Sequence, residues 1–313
     1  GKMTNLLLGA TGFMGGHLVE YLFKQGEISR GTFRAGSHLK ILDSSGVQGV
    51  EADLLDHHSL HEALEGVDTV YSLASPMPDT GAKGYEALNR EGIRNLLEAA
   101  REAGVMTFVH LSTLDVYGFK KKKRAISESS EPQPDHPYQR AKLEADRLLL
   151  DFAEKNPSIK VVIVRSARAI GPRDRTVTLP ILKMAEAGAV VLPPGELMSF
   201  SHPKDVAQAM HKSATSNSLR GRIYLVKSFD SIIDDVSAAI LTASGRHAVI
   251  KRQGFRTGKT LLPGYAEEQI KASLRIQGEG TLPDLGYTPS YDIRKLGEDV
   301  AEWYRREPWV TEE

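Results

Sequence analysis

Tyr138 and Lys142 stand four residues apart in Tyr138-Gln139-Arg140-Ala141-Lys142. The stretch from Tyr138 to Lys155 has helical spacing, and residues i and i+4 share one helix face. A free tyrosine, with a pKa of about 10, is a poor base at neutral pH. A lysine ammonium one turn away favours the phenolate and lowers that value. The pair is therefore suited to general acid–base work near pH 7. Tyr-x-x-x-Lys also arises by chance in long chains, so its weight depends on what precedes it.

What precedes it is a glycine loop. The apolar run Leu6-Leu7-Leu8 leads into Gly9-Ala10-Thr11-Gly12-Phe13-Met14-Gly15, and a helical pattern follows. Strand, loop and helix in this order form a phosphate cradle. One glycine makes the tight turn, one admits a pyrophosphate to the backbone, and one lets helix pack on strand. The helix N-terminus adds free N–H groups and the positive end of its dipole. The expected ligand is a dinucleotide.

The Gly-x-x-Gly-x-x-Gly spacing, with Tyr-x-x-x-Lys downstream, resembles the extended short-chain dehydrogenase/reductases of the NAD(P)-dependent epimerase/dehydratase superfamily. The resemblance covers nearly the whole chain. It is nearest in pattern to dihydroflavonol-reductase-like and 3β-hydroxysteroid-dehydrogenase-like members. It implies cofactor contacts from Gly9, Thr11, Gly12, Phe13, Met14 and Gly15, and from Asp53-Leu54 as the adenine-binding turn. It also implies contacts from Ala74-Ser75 beneath the ribose, from Ala167, and from Tyr138 and Lys142 themselves. Asn89, in Asn89-Arg90-Glu91-Gly92, matches a helix motif that ties the central strands together. Leu111-Ser112-Thr113-Leu114-Asp115-Val116-Tyr117-Gly118 resembles the family's Ser-Ser/Thr-x-x-Val-Tyr-Gly segment, which puts Thr113 rather than Ser112 at the catalytic hydroxyl. The implied reaction is hydride transfer between nicotinamide and a carbinol or carbonyl carbon. Tyr138 handles the proton, Thr113 polarises the oxygen, and Lys142 tunes and orients.

The choice of cofactor turns on the end of the second strand. An acid there binds the 2′-hydroxyl of NAD, and an arginine accommodates the 2′-phosphate of NADP. The chain reads Thr32-Phe33-Arg34-Ala35-Gly36-Ser37, with no acid, and Ser37 and Lys40 lie near. NADP(H) is the expected cofactor and NAD(H) the alternative.

Departures from pattern narrow the chemistry. Nucleotide-sugar members carry Arg-x-x-Asn-x-x-Gly-Pro where this chain has Arg165-Ser166-Ala167-Arg168-Ala169-Ile170-Gly171-Pro172. Met198 stands where they place an arginine on the sugar-nucleotide phosphates, and a thioether cannot replace a bidentate guanidinium. Dehydratases place Asp-Glu after the catalytic threonine, whereas this chain has Leu114-Asp115. The expected activity is a reductase or dehydrogenase of a small organic substrate. A nucleotide-sugar epimerase, with Arg168 and Arg173 on phosphates, is the alternative. A non-catalytic NADP-binding sensor or scaffold is a third reading, which the complete Thr113, Tyr138, Lys142 set disfavours.

The elements that must position these groups alternate in the first half. Strands are expected at 5–9, 28–34, 49–53, 69–74, 107–112 and 160–165, with helices at 15–25, 85–103 and 138–155. Alternating β and α implies a doubly wound parallel sheet of the α/β class, a Rossmann fold. Beyond Gly171, Pro172, Pro180, Pro193 and Pro194 break the rhythm. A strand near 222–226 is expected to return to the sheet, and the tail from Ser228 onward to be helix and loop. The expected division is a dinucleotide-binding domain over 1–170, with the returning strand near 222–227. A smaller C-terminal substrate-binding lobe is expected to span 171–221 and 228–313.

Composition closes off other classes. The 313 residues hold 40 Lys+Arg against 40 Asp+Glu, so no broad field attracts nucleic acid or an anionic membrane. The chain contains no cysteine, which excludes disulfides and thiolate chemistry. No apolar run approaches the roughly 20 residues that span a bilayer, and no signal-peptide layout precedes the first strand. A cytoplasmic protein is expected, homodimeric through its two long helices as relatives commonly are. Lys120-Lys121-Lys122-Lys123-Arg124 reads as part of a mobile, solvated loop before the catalytic helix. Substrate contacts are expected from 75–79, 119–137 and 168–200. No metal is assigned: the histidines, His57, His58 and His61 included, read as surface residues.

Overall fold

The computed structural model describes residues 3–10, 12–33, 47–73, 87–280 and 282–306. Thr11, Arg34, Ser37, Lys40, Ala74, Ser75 and the side chain of Asn89 lie outside the described residues. The first strand, β1 (Thr4–Leu8), runs into helix α1 (Phe13–Lys24). Then follow β2 (Ile28–Phe33), β3 (Gln48–Glu51), α2 (His57–Leu64) and β4 (Thr69–Ser72). A π-helical turn, Ala87–Gly92, opens into α3 (Ile93–Ala103), ahead of β5 (Thr107–Thr113), a short 3-10 turn Leu114–Tyr117 and β6 (Ala125–Ile126). Helix α4 (Pro137–Lys155), β7 (Lys160–Ser166) and β8 (Arg168–Ala169) complete the first half.

Seven strands form one sheet in the order β11-β7-β5-β4-β1-β2-β3, every pairing parallel, where β11 (Ile223–Val226) is the returning strand. Successive side chains on a strand face opposite ways, so a sheet covered on both faces needs near-continuous apolar strands. Leu6 and Leu8 join one core with Val161 and Ile163, while Leu7 joins the other with Val162 and Val164. The first core is closed by α2, α3 and α4 through Leu60, Leu64, Leu96 and Leu149. The second is closed by α1 and by α6 (Pro203–Thr215) through Leu18, Leu22, Val206 and Met210.

The C-terminal elements build a third core of their own. It joins α5 (Thr178–Glu186), β9 (Ala189–Leu192), β10 (Met198–Ser201) and α7 (Ile233–Ser244). Helices α8 (Gly264–Ala272) and α10 (Ile293–Arg306) complete it, with the short α9 (Leu282–Leu285) between them. The expectation of helix and loop after Ser228 is corrected here. Strands β12 (Phe229–Ser231), β13 (Val249–Arg252) and β14 (Arg275–Ile276) pair with β10, β9 and β6 respectively. They are two to four residues long and find partners far away in sequence, so no local pattern marks them. The helix expected over 85–103 likewise starts as the π-helical turn at Ala87, within the described residues.

Helices α7 and α10 meet where α10 carries Gly297. A Cβ there would stand 2.5 Å from the Ala239 carbonyl oxygen and 2.8 Å from its carbon. Gly297→Ala should therefore cost about 1–3 kcal/mol by forcing two packed helices apart. Urea unfolding checks this: the midpoint should fall with an unchanged m-value.

Candidate active site

The parallel sheet brings three sequence-distant segments to the carboxyl ends of its strands β1, β3 and β5, the end where such folds bind ligands. The first is the glycine loop after β1. Gly9 takes φ of +88°, and the Gly12 N–H bonds the Gly9 carbonyl at 3.2 Å. A Cβ on Gly15 would lie 1.9 Å from that carbonyl oxygen. Only glycine lets α1 start so close to the strand. Gly12 is the N-cap of α1 and supplies no side-chain capping bond. Backbone N–H groups at a helix start with no side-chain cap are what an anionic pyrophosphate requires. Phe13 and Met14 form the half-buried first turn, with Phe13 edge-on to buried His17.

The second segment is the turn after β3. Asp53 is exposed, and its carboxylate accepts the Leu55 N–H at 2.9 Å in an Asx turn. Leu54 is buried, and its carbonyl accepts the Asn95 amide of α3 at 3.0 Å. The turn thus presents a rigid backbone with Asp53 outermost.

The third segment joins β5 to α4. Pro137 at the first helical position and His136, whose Nδ1 accepts the Tyr138 N–H at 3.0 Å, start α4 at the expected place. Tyr138 is half-buried and Lys142 is buried, one turn further on the same face. Lys142 Nζ donates to the Leu111 carbonyl of β5 at 3.1 Å. Burial brings its amine down to about 8, against the pull of the Asp146 carboxylate. The amine is still mainly protonated at neutral pH. Strand alternation separates the two candidate hydroxyls. Ser112 is buried and donates to Asp146 at 2.8 Å, so it is committed to the core. Thr113, on the opposite face, accepts the Asp115 N–H at 3.1 Å and stays half-exposed. Ala167 is buried after β7, its N–H bonded to the Val226 carbonyl of β11 at 2.9 Å.

Beneath this face lies a buried charge network. Asp146 on α4 accepts Arg165 Nε at 3.0 Å, and Arg165 also donates to the Tyr117 hydroxyl at 3.0 Å. Burial pushes the Asp146 carboxyl up, opposed by the charges of Arg165 and Lys142. The Asp146 Oδ1 lies 3.8 Å from His110 Nε2, and burial keeps that imidazole neutral.

Some site neighbours carry no sequence signal. Tyr265 and Gln269, on α8, both donate to Asp115 Oδ2 at 2.8 Å. The Tyr265 ring stands edge-on to Tyr138 at 5.4 Å. Burial raises the Asp115 carboxyl, opposed by these bonds and by the Arg168 charge. Arg168 bonds Asp174 and Gln269, each at 2.9 Å, and Thr176. Arg173 pairs with Glu20. Met198 is buried in β10, and with Leu114, Phe119 and Leu274 it lines a small cavity beside Asp115 and Arg168.

One further sequence expectation is corrected. The segment 119–137 is fastened rather than loose: Asp135 accepts the N–H groups of Phe119 and Lys120, both at 2.7 Å, and Arg124 donates to the Tyr117 carbonyl at 2.7 Å. The side chains of Lys120 to Lys123 stand out in solvent, as do those of Glu128, Ser129, Glu131 and Gln133. The histidines read as surface residues include His57 and His61, which are partly exposed, four apart on α2, with ring nitrogens near Glu102.

Asp146→Asn should cost about 3–5 kcal/mol, because it leaves the Arg165 charge buried and unpaired. Denaturant titration reads this against Glu144→Gln, which breaks the exposed pair with Arg90 and should cost less than about 1 kcal/mol.

The sequence profile of the NAD dependent epimerase/dehydratase family matches residues 5–226. A protein of Methylococcus capsulatus named sterol demethylase protein B is 32% identical, over 97% of this chain and 98% of its own. The mouse sterol-4-alpha-carboxylate 3-dehydrogenase, decarboxylating, is 28% identical over 58% of this chain and 50% of its own. Among solved structures, Thermus thermophilus UDP-glucose 4-epimerase in complex with NAD superposes with a TM-score of 0.80 at 22% identity, covering 97% of this chain and 99% of that one. Glycine loop, parallel sheet order and profile agree: the chain belongs to the NAD dependent epimerase/dehydratase family.

Proposed function

We propose that this protein is an oxidoreductase that moves a hydride between NAD(P) and a secondary alcohol or ketone on a largely apolar small molecule. The observation that carries the proposal is Lys142. A buried amine, mainly charged at neutral pH, is held against β5 two residues before Thr113 and one helical turn from Tyr138. When bound, the dinucleotide supplies or accepts the hydride. Tyr138 exchanges the proton with the substrate oxygen, and Thr113 donates a hydrogen bond to the same oxygen. Lys142 orients the nicotinamide ribose and places positive charge beside the phenol. The cradle of Gly9, Thr11, Gly12, Phe13, Met14 and Gly15 would hold the pyrophosphate. Asp53 and Leu54 would hold the adenine side, and Ala74, Ser75 and Ala167 the remaining edges.

Engagement of Arg168 and Arg173 by carboxylates, with Met198 in the core, favours an uncharged substrate over a sugar nucleotide. Both relatives' names refer to sterols, which are largely apolar molecules, and that of the mouse relative carries a carboxylate. The substrate-binding lobe in this reading is 171–221 with 228–313, and α3 and α4 form a homodimer face. Arg34 makes NADP(H) the preferred cofactor, although the Thermus relative was solved with NAD.

The experiment is titration with NADPH and NADH, followed by a panel of ketones and alcohols read by nicotinamide absorbance. Tyr138→Phe should lower kcat by about 10²–10⁴-fold with cofactor affinity near that of the parent. Cofactor binding without net turnover would turn the reading to an epimerase, and absence of binding would overturn it. Arg34→Ala should weaken NADPH by roughly tenfold to a hundredfold and leave NADH nearly unchanged.

A further inference from the structure

We propose a transition-metal site on the solvent side of helices α2 and α3, formed by His57 and His61 of α2 and Glu102 of α3. It is independent of the proposed reaction. His57 and His61 are one turn apart on the same helix face. Their Nε2 atoms stand 3.0 Å from one another. The Glu102 Oε2 lies 2.8 Å from the His61 nitrogen and 4.0 Å from that of His57. All three ligand atoms fall within 4.8 Å of one another. A zinc ion bound at about 2.0–2.1 Å in tetrahedral geometry sets its ligand atoms about 3.3 Å apart. The three observed separations bracket that figure, so small side-chain rotations suffice.

The supports are rigid. Leu60, Ala63 and Leu64 of α2 are buried in one cluster with Leu96, Leu97, Ala99 and Ala100 of α3. Nothing need fold to assemble the trio. The neighbouring groups are otherwise occupied. The Asp56 carboxylate caps α2 by accepting the N–H groups of His58 and Ser59. His58 faces outward towards Glu62, its Nε2 3.5 Å from the carboxylate. Glu102 sits in the last turn of α3, where the dipole favours a cation. The side chains of His57, His61 and Glu102 are 43%, 38% and 37% exposed, so an ion can enter and a water can complete its shell.

Two imidazoles and one carboxylate select Zn²⁺, Co²⁺, Ni²⁺ or Cu²⁺ over the hard cations Ca²⁺ and Mg²⁺, which take oxygen ligands. With a water as fourth ligand the ion clasps α2 to α3. That bond also closes a loop of the chain. The turn holding Asp53 and Leu54 enters α2 directly, and Asn95 of α3 already holds the Leu54 carbonyl. The site is a structural clasp, and its loss loosens that turn.

The test uses the full chain after dialysis against a chelator. Calorimetric titration with ZnCl2 should give one saturable site per chain. At free zinc about a hundredfold above Kd, the melting temperature should rise by roughly 4 °C. His61→Gln, which removes the ligand nearest both others, should weaken binding at least tenfold. Its melting temperature in chelator should match the parent, and Glu102→Gln serves as second variant if it does not. His58→Gln should bind like the parent, and CaCl2 should produce no shift. Absence of saturable zinc binding overturns the proposal. So does equal weakening by His58→Gln and His61→Gln, unchanged binding in both His61→Gln and Glu102→Gln, or an equal response to calcium.

Discussion

A carboxylate shut away from solvent organises the centre of this molecule. Asp146 lies on the inner face of α4 and is fully enclosed. It takes bonds from Ser112 on β5 and Arg165 on β7, so one side chain holds the helix in register against two adjacent strands. An isolated buried carboxylate is costly to desolvate, and it persists only where charged donors surround it. That requirement fixes Lys142, one turn earlier on α4, within reach of the Leu111 carbonyl. It thereby fixes Tyr138 a further turn along, at the open end of the sheet. A shift of α4 by one residue would break every one of these contacts together.

The opposite wall of the site comes from the C-terminal elements, through a second enclosed carboxylate. Asp115 receives Tyr265 and Gln269 from α8, and the Tyr265 ring seats against Tyr138. Gln269 also receives Arg168, whose guanidinium bonds Asp174 in turn. The third core is thus joined to the sheet by polar bonds of defined length, and Leu274 and Ile276 pack with Leu114 and Val116 beside them. Polar networks of this kind have few alternative arrangements. They hold the C-terminal elements at a set position against the sheet.

What could be read from residues alone was what is local. The continuous apolar runs of β1 and β7 and the i, i+4 spacing of α4 are written in consecutive residues, as is the glycine loop. The sheet and the Tyr138–Lys142 pair were therefore legible. The choice of Thr113 over Ser112 rested on resemblance, and the strand's alternation supplies a physical reason, since Ser112 faces Asp146. Contacts across the chain were not legible. Tyr265 and Asp115 are 150 residues apart, and no periodicity predicts that they meet. Arg168 looked free for a phosphate because its partner Asp174 and the Gln269 of α8 have no motif. His57 and His61 had the spacing, but their third member belongs to another helix. Strand β14 is two residues long and exists because Ala125 and Ile126 lie beside it.

The returning strand has a consequence for how the chain is made. β11 pairs along β7 from Ile223 against Ile163 to Val226 against Ser166, and it covers the edge of the parallel sheet. Everything from 167 to 222 is synthesised between the two partners. At about 5–20 residues per second, the β7 edge waits on the order of 3–11 s on the ribosome for its neighbour. Through that interval its donors and acceptors are open to any other extended chain. A fragment cut before residue 223 would keep that exposure permanently. The nucleotide-binding half is not a module that can be lifted out whole, because its last strand is supplied from beyond the first part of the other half.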